Sequence, residues 1–308
     1  MIAIGPDVLR LAIVIAFVAL AIRDWRTRRI PRWVWVPILL VGVIALVWDT
    51  TVHRTLGGVT WHLYATRVAM SLGVVAPLGY VFYRLQAFGR ADAKALVAIG
   101  VAFPTYPILH LGGTELPVVT APLGVFSLTV LTNGVLVGLA YPLALLALNL
   151  RHRRLSAWSA FGRPVHWSTL SRRHGRLLEH PAGFTRAGLD LDALRMYCEW
   201  RACSVADLRS HPDRFRVPPI HPTPTLGDGR VVTDGGDDPW GARAFLADAD
   251  GAYGTRPEAL RGGLEVVATR EHIWVSPGIP FLVPLVVGLL VGLVIGDLFT
   301  VVLPMPAP

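Results

Sequence analysis

Six apolar runs decide what this chain can fold into. They cover residues 8–22, 33–47, 63–83 and 92–111, a stretch within 116–150, and 279–303. Several reach about 18 residues or more, enough to cross the hydrocarbon layer of a bilayer as a helix. A spanning segment must satisfy its own backbone, so such runs read as helices rather than open strands. Of the 308 residues, 53% are hydrophobic and only 16% charged, too few charges for an ordinary soluble globule. The expected fold is a polytopic α-helical membrane protein of about six transmembrane helices. The first run lacks a basic leader and a small-residue cleavage site, and it reads as a retained helix.

The basic residues orient these helices. Arg23, Arg26, Arg28, Arg29 and Arg32 follow the first run. Arg84, Arg90 and Lys94 lie between the third and fourth, and Arg151, Arg153 and Arg154 follow the fifth. The opposite loops carry only Arg54. The positive-inside rule then puts the arginine-rich ends in the cytoplasm and both termini outside. The net charge of +8 is topological on this reading, and no nucleic-acid partner is expected.

Three parts follow: a membrane domain over 1–150 with helices one to five, a soluble cytoplasmic insertion over 151–275, and a final transmembrane helix over 276–308. The insertion reads as a small α+β domain. A helix is expected over 189–202, and Ser204 with Asp207 forms a capping box that opens a short one. Residues 210–237 read as loop. Asp238-Pro239 opens a further helix, and Thr255 with Glu258 opens another that Gly262-Gly263 stops. Residues 264–269 and 272–275 alternate like short strands.

Acids outside the insertion are Asp7, Asp24, Asp49, Asp92, Glu115 and Asp297. On the derived orientation only Asp24, ending helix one, and Asp92, opening helix four, reach the cytoplasmic boundary. Two carboxylates that share one proton can activate a water between them. The pair then serves as general base and general acid. The plain alternative is that each is a flanking charge beside Arg23, Arg26 or Arg90. Gly89 allows a sharp turn into helix four, and a small residue at Ala91 lets another backbone pass close. Lys94 neutralises a carboxylate, orients a substrate carbonyl, or snorkels to the interface, as Arg10 does at the far end of helix one. Arg67 and Asn133 lie within helices and read as interhelical or snorkelling contacts. Cys198 and Cys203, with His211 and His221, match no strong zinc spacing, and neither a metal nor an organic cofactor is expected.

Gly89-Arg90-Ala91-Asp92-Ala93-Lys94-Ala95-Leu96 resembles the second-aspartate motif of the type IV prepilin peptidases, the Gly-x-Gly-Asp (GxGD) membrane aspartic proteases. The similarity is greatest to the archaeal preflagellin (archaellin) and prepilin peptidases, with Ala91 in place of the second glycine. Asp24-Trp25-Arg26-Thr27-Arg28-Arg29-Ile30-Pro31 resembles the first-aspartate motif. Residues 274–282 resemble the entry to the last helix, and the resemblance does not extend over 151–270. It implies an aspartic endopeptidase with Asp24 and Asp92 as the catalytic pair and Gly89, Ala91 and Lys94 in support. It also implies the reaction: removal of the short basic leader from preflagellins and type IV prepilin-like precursors at the cytoplasmic membrane face. The partners are those precursors and the lipid bilayer. The reading from another class is a non-catalytic polytopic membrane protein, a transporter or assembly scaffold with a cytoplasmic regulatory domain. A transporter would want broken helices and a polar site near mid-membrane.

Overall fold

The computed structural model describes residues 5–27, 30–85, 89–153, 156, 158–217, 238–249, 252–277 and 280–302. The chain divides into two compact units, Met1–Tyr141 with Ile279–Pro308, and Pro142–Gly278. It begins with helices α1 (Pro6–Thr27), α2 (Trp35–Leu56), α3 (Gly58–Met70), α4 (Ala76–Arg84) and α5 (Arg90–Ala102). A hairpin of β1 (Leu109–Leu111) and β2 (Thr114–Leu116) precedes α6 (Phe126–Arg151). The second unit then adds β3 (Arg163–His166), β4 (Arg176–Leu177), β5 (Glu179–His180), β6 (Gly183–Phe184) and α7 (Leu191–Trp200). It continues with α8 (Val205–Ser210), α9 (Pro212–Arg216), α10 (Ala242–Asp248), α11 (Pro257–Thr269) and β7 (His272–Ser276). The chain closes with α12 (Leu282–Val294) and α13 (Leu298–Val302).

Among the described residues, three helical stretches are long and apolar enough to cross a membrane: Arg32–Leu56, Gly58–Arg84 and Phe126–Arg151. Much of their apolar surface faces outward. Val36, Leu40 and Val47 on α2, and Leu139 and Leu143 on α6, are all more than half exposed. Lipid is the solvent that such faces require, and association inside it depends on close packing and polar contacts between helices. Glycines supply the packing: a Cβ at Gly288 of α12 would lie 2.4 Å from the backbone nitrogen of Gly134 on α6. Serines supply the polar contacts. Helices α3 and α4 are one rod interrupted by a wide π turn at Ser71–Val75. There the Ser71 hydroxyl donates to the Gly100 carbonyl of α5 at 2.6 Å and meets the Ser127 hydroxyl of α6 at 2.7 Å. Asn133 of α6 donates to the Gly296 carbonyl at 2.8 Å and accepts from the Leu298 amide at 2.9 Å.

Arg10 does not snorkel. It is 2% exposed, and its guanidinium bonds Asp7 at 2.7 Å, Asp49 at 2.6 Å and the Ala102 carbonyl at 2.9 Å. One side chain thus ties α1, α2 and the end of α5 together. The fourth run also differs from expectation. Its helix stops at Ala102, and Pro104 and Pro107, which cannot donate to a helix, carry the chain into the β1–β2 hairpin. Gly112 and Gly113 make the hairpin turn at φ 57° and 88°, a region that suits glycine. In the fifth run, Pro117 and Pro122 precede the helix, and only Pro142 lies inside α6.

The second unit has its own core, with Leu170, Leu177, Leu189, Tyr197, Phe245 and Leu264 among its fully buried members. Strand β7 lies between β3 and β4, antiparallel to both. Helix α7 is capped by Asp190, and α8 by the reciprocal Ser204–Asp207 bonds at 3.1 and 2.8 Å. Asp238 accepts the Arg243 amide at 2.9 Å, although a short 3₁₀ turn intervenes before α10. Residues 212–216 of the expected loop form α9, and 218–237 lie outside the described residues. Gly262-Gly263 does not end a helix, and 264–269 is not a strand: α11 runs through both to Thr269. A Cβ at Gly262 would strike the His180 ring at 2.2 Å, and one at Gly263 the Leu189 Cβ at 2.3 Å. These glycines let α11 lie flush on its neighbours.

Removing Asp49 tests the Arg10 junction. Asp49→Ala leaves a buried cation short of its partner on α2 and is expected to cost about 3–5 kcal/mol. Asp49→Asn, which keeps an acceptor, should lose less. Thermal unfolding of the two variants in detergent measures the difference.

Candidate active site

Helix α1 buries one stripe: Arg10, Ile13, Val14, Phe17, Leu20, Ala21 and Asp24. These positions recur every three or four residues, so Asp24 continues the packed face rather than beginning a loop. It is 7% exposed, while Arg23 and Trp25 on either side face outward. The sequence places the end of helix one at this acid. The helix instead carries on through Thr27, whose hydroxyl donates to the Arg23 carbonyl at 3.0 Å.

Asp92 is the third residue of α5 and is half-buried. Its Oδ2 accepts the Gly89 amide at 3.1 Å, the backward arm of a helix-capping arrangement. Gly89 is extended, and a Cβ there would stand 3.2 Å from that same oxygen. The glycine keeps the approach open. The Leu282 amide, first in α12, also donates toward the Asp92 carboxylate. Two helix N-termini therefore face one acid, an arrangement that favours negative charge there. Asp24 is near enough to act on Asp92 as a like charge.

The structure brings together Asp24, from the last turn of α1, and Asp92, from the first turn of α5. Lys94 sits half-buried two residues further along α5, about 200° round the helix from Asp92. Ala91 packs partly buried against the hydrophobic core of the first unit. A close backbone passage occurs at Gly79 of α4, where a Cβ would lie 2.8 Å from the Ala93 carbonyl. Gly79 escaped the sequence reading because a lone glycine in an apolar helix carries no local signal of what crosses it.

The remaining acids of the first unit are otherwise engaged. Asp7 and Asp49 hold Arg10. Asp297 accepts the Thr300 amide and hydroxyl at 3.2 and 2.6 Å. Glu115 is exposed and faces His110 at 3.9 Å. An apolar groove of about 440 Å³ is lined by Trp25, Gly134, Gly138, Tyr141, Phe281 and Pro284 among others. Its lining combines three aromatic residues, four valines, two glycines and a proline.

In the second unit the thiols of Cys198 and Cys203 are hydrogen-bonded to each other. No group of three or more His, Cys, Asp or Glu suited to a metal occurs among the described residues, and His221 lies outside them.

Residues 11–143 match the type IV leader peptidase family, and residues 258–298 match the type II C-terminus of archaeal peptidase A24. The second match begins at Glu258 and so takes in α11 and β7, where the motif resemblance began only at Trp274. No curated protein matches the chain.

Gly79 offers a test of the α4–α5 approach. Gly79→Val forces the first turn of α5 to shift and is expected to destabilise the protein by about 1–3 kcal/mol. Gly73→Val, at a position with open space around it, should change little. Melting temperatures of the purified variants decide the point.

Proposed function

Because the chain belongs to the type IV leader peptidase family, with an archaeal C-terminal segment, we propose that it is a membrane aspartic endopeptidase using Asp24 and Asp92. It removes the short basic leader from preflagellins and type IV prepilin-like precursors at the cytoplasmic face of the plasma membrane. The observation that carries this reading is the electrostatic contact of Asp92 with Asp24, two acids from distant parts of the chain. The distribution of arginines supports the cytoplasmic orientation, with six crossings made by α1, α2, α3–α4, α5, α6 and α12–α13.

The chemistry follows from two carboxyl groups sharing one proton. The ionised carboxylate takes a proton from a water held between the acids. The water oxygen bonds to the scissile carbonyl carbon, and the protonated acid gives its proton to the carbonyl oxygen. Collapse of the tetrahedral intermediate breaks the C–N bond, and the amine leaves with a proton from the first acid. Because the pair titrates as a unit, base and acid are roles of the pair. Gly89 keeps the amide contact to Asp92 open, and Ala91 seats the turn against the core; Lys94 is assigned a supporting role, orienting the substrate carbonyl or neutralising a carboxylate.

A hydrophobic helix follows the leader in such precursors. The groove that Trp25 helps line supports its docking near the end of α1, since the lining is apolar. The helix would lie in the bilayer while the leader stays in water.

The decisive experiment is cleavage of a preflagellin or prepilin by membranes containing wild-type protein, Asp24→Asn or Asp92→Asn. Each variant is expected to lose at least about a hundredfold in rate. Full activity in either one overturns the two-aspartate mechanism.

A further inference from the structure

The second unit bears an aromatic surface that its own core does not use. Strands β5 and β6 form a hairpin whose tip, Pro181 and Ala182, is exposed. Phe184, just past the tip, is 43% exposed and stacks on Trp158 with ring centroids 5.6 Å apart. Phe161, 45% exposed, packs against Trp158 at 6.0 Å. The exposed Arg186 lies over both rings, 5.9 Å from the Trp158 centroid and 4.9 Å from that of Phe161.

Both halves of this surface are fixed. The buried Glu179 carboxylate bonds Arg270 at 2.6 Å and accepts the Trp274 amide at 3.1 Å, which holds the hairpin base. The loop bearing Trp158 and Phe161 is held by Asn149, whose amide nitrogen donates to the Ser159 and Gly162 carbonyls at 2.7 Å each. Asn149 lies in the last turn of α6, a helix long and apolar enough to cross a membrane. The aromatic surface is therefore secured to the point where a membrane span ends. Arg151 and Arg153 are exposed at that same point.

The end of a span lies in the headgroup layer. Aromatic rings favour that layer, and arginines there pair with anionic lipid phosphates. We propose that Trp158, Phe161, Phe184 and Arg186, with the Pro181–Ala182 tip, seat in the headgroup layer of an anionic bilayer beside the end of α6. The surface is an interfacial anchor for the second unit. Attachment to a span and a cationic rim select lipid over a protein partner as the occupant. The inference rests on the membrane reading and not on the reaction.

Nitroxide accessibility in the full chain tests it. Cys198→Ser and Cys203→Ser clear the background, and a spin label is attached through Phe184→Cys. The protein is placed as single copies in nanodiscs of phosphatidylcholine with phosphatidylglycerol. Relaxation by oxygen, which partitions into lipid, should outweigh relaxation by a water-soluble nickel chelate. A label at Ser210→Cys on the exposed side of α8 should show the reverse. Adding Arg186→Glu to the protein labelled at position 184 should abolish the oxygen preference. Nickel-dominated relaxation at position 184 overturns the proposal, as does an oxygen preference at both labelled positions. An oxygen preference indifferent to Arg186→Glu overturns its electrostatic part.

Discussion

Within the first unit the governing constraint is the solvation of charge where lipid, not water, surrounds the helices. The chain meets it in two opposite ways. Around Arg10 the charges are complementary: the guanidinium is enclosed by two carboxylates and a carbonyl, and α1, α2 and α5 are joined by the result. At the other terminus of α1, the buried and mostly apolar stripe ends in an acid that feels another acid as a like charge. Opposite charges there would have made a second fastener. Here two like charges lie near one another instead, and the amides of Gly89 and Leu282 compensate negative charge at Asp92. One end of the helix thus carries a complementary charge cluster and the other a pair of like charges.

Much of this was legible in the sequence because it is written in period and order. The apolar runs gave most helices of the first unit, and the orientation expected from the arginines suggested Asp24 and Asp92 as partners before any motif was considered. What escaped shares one physical character: it depends on what lies across from a residue rather than beside it. Arg10 reads as a snorkelling cation until Asp49, from another helix, is placed against it. Gly79 reads as an unremarkable small residue until the Ala93 carbonyl arrives. Gly262-Gly263 reads as a stop signal because isolated glycines favour helix ends, yet the contacts of His180 and Leu189 demand two residues without side chains in mid-helix. The helix boundary at Asp24 belongs to the same class. Charge after an apolar run suggests an end, but tertiary burial of the stripe prolongs the helix by another turn.

The second unit follows the rules of a water-soluble domain. It has a contiguous apolar core, acids and serines capping its helices, and a three-stranded sheet with β7 at the centre. The capping box of Ser204 and Asp207 was legible because a cap is a local device, confined to four residues. Its strands were mostly missed because they are two to five residues long, too short to establish an alternation. Family similarity adds that α11, β7 and the approach to α12 form one inherited segment.

The brevity of α5 has a consequence for the lipid itself. Its 13 residues rise only about 20 Å, against roughly 30 Å for the hydrocarbon of an average bilayer. On the six-crossing reading, a membrane of ordinary thickness would drown the first turn of this helix, Asp92 included, below the level that water reaches. Hydrophobic mismatch of this kind is relieved by thinning the adjacent leaflets. On the same reading, the acyl-chain length of the surrounding lipid sets how much of the Asp92 carboxylate water can wet.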